Sequence, residues 1–530
     1  MPPRASRHDG VPLLPHPLFF TTLPYLRIVP AHTLTPSLAR TLPTPCLQLF
    51  INNKWVDSSD GATFATLNPA TGEPIARVSE AKAADVDLAV AAARAAFERG
   101  SPWRTMDASQ RGTLRACARP PSLFPPFPPS PPSPPFPPLA LAVYKLADAM
   151  ERDKITLASL DSLDNGKPYA DALAIDLHLA IKCFRYYAGW ADKICGKTVP
   201  IDGNFLALTR CEALGVCAQI IPWNFPLLMA AWKLAPALCA GCTTVIKSAE
   251  QTPLSLLHLA SLVAEVGFPP GVVNCLSGFG PTCGAPMVAH PGVDKVAFTG
   301  SGNVGRLIAR EAAGTLKNVT LELGGKSPAI VFADADLEAA AATCAFGIFF
   351  NAGQVCCASS RVYVQEGVYD AFVAAVAARA KATTLGEGLS SGAAQGPQVD
   401  QDSLDKIERM VAGGVAAGAR LVAGGARAPG PGFFYPPTVF ADVGDACEIA
   451  REEIFGPVMS ILKFKTLEEV LARANDSVYG LAAAVFTTNL NTSTAMALGL
   501  RAGTVWVNCY NVLEASVPFG GESMYLALPH

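Results

Sequence analysis

Short apolar runs of strand length recur along this chain, each leading into a polar or glycine-punctuated loop and then a helical pattern. Leu214–Ile221 reads as a buried strand ending at Pro222-Trp223-Asn224-Phe225-Pro226. Thr243–Ile246 is a second, followed by Lys247, Ser248, Ala249, Glu250 and a helix. Val293–Phe298 leads through Gly300, Ser301 and Gly302 into a helix from Arg306, and Val319–Leu321 ends in a carboxylate, Glu322. Repetition of this unit predicts an α/β fold with a doubly wound parallel sheet, its ligand at the carboxyl ends of the strands. Earlier, Leu49–Asp57 reads as a strand turning through Asn52-Asn53, residues 68–72 as a turn and Ile75–Ser79 as a second strand. Helices are expected over Asp85–Glu98, with Asp85 placed to cap the first, and over Val143–Met150, Ile175–Asp192 and Tyr369–Lys381.

One stretch breaks the pattern. Residues 120–138 hold twelve prolines in nineteen positions, between RGTLRACA and AVYKLADAMERD, which otherwise read as one helix. Proline inside a helix costs about 3 kcal/mol, so this run must loop out as polyproline II. It reads as a tolerated surface insertion, an unspliced intron carried into the sequence, or a PxxP ligand for SH3-like domains.

Composition narrows the function. The chain has 530 residues, half of them hydrophobic and 16% charged, so it is long enough for two or three globular domains. A net charge of −3 without a clustered Lys/Arg face argues against nucleic acid. Fifteen irregularly spaced cysteines suggest a reducing compartment. The Cys239–Cys242 CxxC pair lacks a second pair, and the seven histidines form no ligand pattern, so no metal is expected. Residues 213–232 are uncharged, but Pro222, Asn224 and Pro226 at their centre exclude a membrane span. Residues 1–48 carry Arg4, Arg7, Arg27 and Arg40 against one acid, Asp9. That composition suits a mitochondrial transit peptide, whereas the prolines favour a disordered extension or a mistaken start site.

Two loops carry the candidate chemistry. In VTLELGGKSPAIV, Glu322 stands beside Gly324-Gly325, glycines that allow close backbone approach. In FFNAGQVCCASS, Cys356 follows Gly353-Gln354 at the mouth of an apolar run with Phe346, Ile348, Phe349 and Phe350. A cysteine and a glutamate on separate loops suit covalent catalysis, with a thiolate attacking and a carboxylate activating water. A cysteine in an apolar run is more often a small buried hydrophobe. LELGGKS and FFNAGQVCCA, however, resemble the two active-site signatures of the NAD(P)-dependent aldehyde dehydrogenases, in matching order and separation. The likeness runs from about Leu49 to Gly521 and is nearest the acetaldehyde- and retinal-oxidising branch.

The resemblance implies a Rossmann-type NAD-binding domain (49–194 and 214–323), a bridging arm (195–213), an α/β catalytic domain (324–521) and an atypically short terminus (522–530). It implies Cys356 as nucleophile, Glu322 as base and Asn224 as oxyanion donor, with Cys357 the rival nucleophile. Cofactor contacts fall on Ile220, Pro222, Trp223, Lys247, Glu250, Gly300, Ser301, Gly305, Leu323, Glu453 and Phe455. Gly300, Gly302 and Gly305 spell GxGxxG, though the family usually has a bulkier residue where Gly302 stands. Glu250 would repel a 2′-phosphate, which favours NAD over NADP. Phe225, Met229, Trp232, Val355, Leu513 and Phe519 would line an apolar tunnel, with core packing as the plainer reading of each.

The family continues past Gly521 with a helix and strand that complete subunit pairing. Here ESMYLALPH follows instead, so a dimer or tetramer is expected if that end is completed. The expected activity is NAD-dependent oxidation of an aldehyde to its acid through a thioester, in the mitochondrial matrix or cytoplasm. A catalytically impaired member and a Pro-rich interaction protein are the other readings.

Overall fold

The structure is a computed structural model that describes residues 46–106 and 142–522. The proline run, the 111–118 half of its helix, most of the amino-terminal extension and residues 523–530 lie outside the described residues.

Two seven-stranded sheets organise the chain. The first collects β1 (Leu49–Ile51) and β2 (Lys54–Val56), then β7 (Val216–Ile220), β8 (Thr243–Ser248), β9 (Val273–Ser277), β10 (Lys295–Thr299) and β11 (Asn318–Glu322). Two small hairpins precede β7: β3 (Thr63–Leu67) with β4 (Pro74–Ser79), and β5 (Thr198–Val199) with β6 (Ala207–Leu208). The spatial order is β11-β10-β7-β8-β9-β1-β2, in which the first five strands are parallel and β1 and β2 close the edge antiparallel. Asn52 and Asn53 turn that closing hairpin with φ of 55° and 58°, left-handed values that asparagine tolerates better than most residues. The doubly wound parallel sheet expected from the strand–loop–helix repeat is present.

The second sheet holds β12 (Pro328–Val331), β13 (Arg361–Gln365), β14 (Arg420–Ala423), β15 (Thr438–Ala441), β16 (Val458–Phe464), β17 (Ala482–Phe486) and β18 (Thr504–Val507). Its order is β14-β15-β16-β13-β12-β17-β18, and every pair but β14–β15 is parallel. Parallel strands are covered by helices on both faces and read as nearly continuous apolar runs. Accordingly β7, β8, β12 and β17 are buried along their full length.

The sheets are joined by the five residues from Leu323 to Ser327, between the end of β11 and the start of β12. The LELGGKS segment is therefore the covalent bridge between them. Asn224, Ser301 and Glu322 all sit at carboxyl ends of strands in the first sheet, facing this bridge.

Two expectations change in detail. The first helix runs Ala83–Phe97, so Asp85 lies inside its first turn instead of at its cap. Its carboxylate still serves the helix start, accepting from Lys82 N at 2.8 Å and from Ser59 N at 2.9 Å. The stretch resuming near Ile175 begins as a π-helical turn, Ala172–Leu177, before the α-helix His178–Ala188.

Candidate active site

Asn224 follows β7 in a loop that runs straight into the helix Pro226–Cys239. The loop is pinned from both sides. Asn224 Nδ2 donates to Gln354 O at 2.8 Å, and Asn351 Nδ2 donates back to Asn224 O at 3.0 Å. Gln354 is itself locked, its Nε2 on Asn351 O at 3.1 Å and its Oε1 accepting from Val399 N at 2.9 Å. This network joins the oxyanion candidate to the turn carrying the nucleophile candidate.

That turn has an unusual backbone. Asn351, Ala352 and Gly353 are consecutively left-handed, with φ of 48°, 54° and 75°. Only Gly353 adopts this without strain, and a Cβ there would meet Gly456 O at 2.1 Å. The surrounding amides hold the strained pair in place. Gly325 permits a second close approach, since a Cβ on it would lie 2.4 Å from Cys356 O. The bridge between the sheets is thus packed directly against the backbone of Cys356.

Cys356 and Cys357 separate by environment. Cys357 is buried and its Sγ reaches Asn511 Oδ1 at 3.6 Å, whereas Cys356 is half-buried. The Cys356 thiol is pushed well above the usual range, first by its hydrogen bond with Cys357, then by burial and by the carboxylates of Glu453 and Glu322. Glu322 ends β11 in register with Thr299 of β10. Burial raises its carboxyl to about 7, against the opposing pull of Lys233. Neither of its oxygens has a hydrogen-bond partner.

Asn224, Glu322, Cys356 and Cys357 line one cavity of about 1610 Å³. Phe225, Met229, Trp232, Val355, Leu513 and Phe519, the expected tunnel residues, line it too. Trp232 and Phe519 meet at 5.2 Å between ring centroids, and Phe225 stacks on Phe350 at 6.0 Å.

Pro222, Trp223, Gly300, Ser301, Leu323, Glu453 and Phe455 line the same cavity. Trp223 and Phe455 pack edge to face, centroids 5.3 Å apart. Glu453 accepts from Gly325 N at 3.0 Å and is raised to about 7 by burial. Ser301 caps the helix Gly302–Ala312, and Gly305 packs where a Cβ would lie 2.7 Å from Leu323 Cδ2. None of the three GxGxxG glycines has a positive φ, and Gly300, like Gly305, is closely packed, its Cβ position 2.5 Å from Phe298 Cζ. Ile220, Lys247 and Glu250 lie outside the cavity lining, on the neighbouring strand ends. Ile220 pairs with Lys247, and Lys247 Nζ donates to Ser248 O at 2.6 Å and reaches Glu250 Oε2 at 3.5 Å.

Lys233 escaped the sequence reading. It sits in the helix after Asn224, donates to Thr299 Oγ1 at 2.7 Å, and is drawn down to about 8 by burial while Glu322 opposes the shift. Its one sequence signal was a lysine in an otherwise apolar helical run, which solvent exposure would explain equally well.

A half-buried thiol, a carboxylate without partners and a fixed amide donor thus surround one largely apolar cavity at the ends of parallel strands. The profile of the Aldehyde dehydrogenase family matches residues 55–118 and 137–524, breaking across the proline run. The mitochondrial aldehyde dehydrogenase of Rattus norvegicus is 55% identical over 481 residues, covering 90% of this chain and 87% of that protein. Human retinal dehydrogenase 2 is 52% identical over 489 residues, covering 91% and 89%. The NAD+ complex of a Bacillus cereus aldehyde dehydrogenase superposes with a TM-score of 0.86 at 46% identity, covering 93% of this chain and 94% of that one. With both signatures meeting at one cavity and relatives aligned over nine-tenths of its length, this chain belongs to the aldehyde dehydrogenase family.

Proposed function

We propose that this chain carries out its NAD-dependent aldehyde oxidation through Cys356, Asn224 and Glu322. The observation that carries the assignment is Glu322, a buried carboxylate with both oxygens unpartnered in the cavity lined by Cys356 and Asn224. An unpartnered buried carboxylate is costly to keep and is what a general base requires.

Attack requires the Cys356 thiol to lose its proton, and Glu322 in the same cavity is the group proposed to take it. The sulfur then bonds to the aldehyde carbon, and the carbonyl π pair moves onto oxygen. Asn224 Nδ2 has one N–H on Gln354 O and a second for this oxyanion, alongside the Cys356 backbone amide. Such a fixed donor is worth about 2.7–4 kcal/mol in the transition state. NAD, when bound, would supply the hydride acceptor, so that collapse of the Cys356 thiohemiacetal leaves a thioester. Glu322, once it has passed the thiol proton to solvent, takes a proton from water. The hydroxide adds to the thioester carbon, the C–S bond breaks, the carboxylic acid leaves and the Cys356 thiolate recovers the proton from Glu322.

The residues that would hold NAD fit it chemically. Glu250 offers a carboxylate to the adenosine ribose beside the cation of Lys247, and would repel a 2′-phosphate, favouring NAD over NADP. Glu453 would take the nicotinamide ribose, with Phe455 and Trp223 beside the ring and Ser301 near the pyrophosphate. Residues 49–194 with 214–323 would form the cofactor domain and 324–521 the catalytic domain. The hairpin of β5 and β6 carries exposed Phe205, Leu206 and Leu208, apolar surface suited to an arm reaching a second subunit in a homo-oligomer. The relatives named mitochondrial make the matrix the favoured compartment over the cytoplasm.

The test is NADH formation by the purified full chain with a short aliphatic aldehyde. Activity is expected, and Cys356→Ala should remove it by about 10⁴-fold or more. A Cys356→Ala protein with normal turnover would overturn the assignment.

A further inference from the structure

The turn Asn165-Gly166-Lys167 lies far from the signature loops in sequence, yet it holds the loop that carries Asn224. We infer that Lys167, seconded by Asn165, is a positioning residue for the Asn224 amide. The inference rests on the oxyanion role proposed above for Asn224.

Lys167 has a fully buried side chain. Its Nζ donates to Asn224 O at 3.0 Å, ion-pairs with Asp176 of the π-helical turn, and lies 4.1 Å from the centroid of the Phe225 ring. Asn165 Nδ2 donates to Trp223 O at 2.8 Å. With Asn351 Nδ2 also on Asn224 O and Thr252 Oγ1 on Trp223 O at 3.4 Å, the carbonyls of two consecutive residues receive donors from four side chains. Fixing those peptide planes fixes the Cα–Cβ direction of Asn224, and its amide needs only Gln354 O to complete its aim. Gly166 makes the turn possible: its φ is +87°, and a Cβ there would meet Pro69 Cγ at 2.7 Å and Pro397 Cγ at 2.8 Å.

The surroundings argue against a purely stabilising role. Asp161 is fully buried, its carboxyl raised to about 7 by that burial, and Asp176 keeps one oxygen unpartnered. A buried charged centre like this stabilises poorly, and apolar packing of the same volume is often as good or better. What Lys167 supplies that an apolar residue cannot is a directed donor to the Asn224 carbonyl.

The experiment is a double-mutant cycle in the full chain, comparing Lys167→Met, Asn224→Ala and both together. Each is measured for kcat, for KM of aldehyde and NAD, and for the rate at which iodoacetamide alkylates Cys356. Asn224→Ala should lose about 10²–10³-fold in kcat. Lys167→Met should lose roughly 10–10²-fold, the effect of a misplaced group, with both KM values and Cys356 alkylation within about twofold. The double variant should match Asn224→Ala within about twofold, because a misaimed amide cannot be lost twice. A double variant that loses the product of the single effects overturns the inference, as does wild-type kcat in Lys167→Met or a parallel fall in Cys356 alkylation. Should Lys167→Met fail to fold, Asn165→Leu removes a donor to the same loop without stranding a charge, and runs the same cycle. An Asn224→Ala protein of full kcat would instead sink the oxyanion assignment, and this inference with it.

Discussion

The two ends of the cavity are built differently. At the catalytic end, Asn224, Asn351, Gln354 and Lys167 are buried and bonded to one another's backbones. At the proposed cofactor end, Ser301 is exposed, and just outside the cavity lining the Glu250 side chain keeps 31% exposure, with Lys247 at 3.5 Å. Groups that stabilise a transient charge must be in place before the reaction, because reorganising them during it adds to the barrier. Groups that would grip a dinucleotide serve a ligand that enters and leaves, and of these Ser301 and Glu250 are open to solvent. The bridge between the sheets touches both ends, with Gly325 against Cys356 and Gly324 against Glu453.

The sharpest way to break this contrast is at Glu322. Glu322→Gln keeps the shape and removes the base, and should lower turnover about 10²–10⁴-fold. Because burial raises this carboxyl to about 7, its basic form populates as pH rises through that value. Thioester hydrolysis should therefore climb from pH 6 to 8 and level off above, whereas the Gln variant should show a flat profile. Single-turnover release of acid against pH measures both, and an unchanged slope in Glu322→Gln would assign the base elsewhere.

The two bridge glycines come next. Gly325→Ala places a Cβ 2.4 Å from the Cys356 carbonyl, a backbone atom with little room to move. About 1–3 kcal/mol of stability should be lost, together with most activity, as seen by thermal unfolding and NADH assay. Gly324→Ala instead meets the far end of the Glu453 side chain, at 2.1 Å from Oε2. That carboxylate can swing aside, so the fold should hold while KM for NAD rises several-fold, an effect confined to the cofactor end. Equal damage from both substitutions would erase the distinction.

The smallest effect is expected at Cys357. It donates no catalytic atom, so Cys357→Ala should leave kcat within about twofold. Yet the Cys357 thiol is the largest cause holding the Cys356 proton in place. Its removal should lower the Cys356 thiol toward its ordinary range and speed alkylation of that residue at neutral pH.

The strand–loop–helix repeat specified a parallel doubly wound sheet because alternation of apolar runs and polar loops is local information. The signatures around Glu322 and Cys356, and the WNF turn at Asn224, were likewise legible as residue strings. The placement of Asp85 was misjudged by a few residues, since a carboxylate at the cap and one in the first turn reaching back present nearly the same local sequence.

What the chain could not announce is which distant residues share a contact. Lys233 beside Glu322 and Lys167 beneath Asn224 are single lysines in helical or turn context, with nothing nearby in sequence to distinguish them from solvated ones. Which of the two adjacent cysteines is half-open and which is turned to Asn511 depends on a strained run at 351–353, held by amides from three separate segments. Sequence alone determined the residue types of the chemistry and the sheet that carries them, because strand and loop patterns repeat over a few residues. Their charge states, aim and partners were decided by tertiary structure, because burial and hydrogen bonding are set by groups far away in sequence, 57 positions for Lys167 and Asn224 and 130 for Asn224 and Gln354.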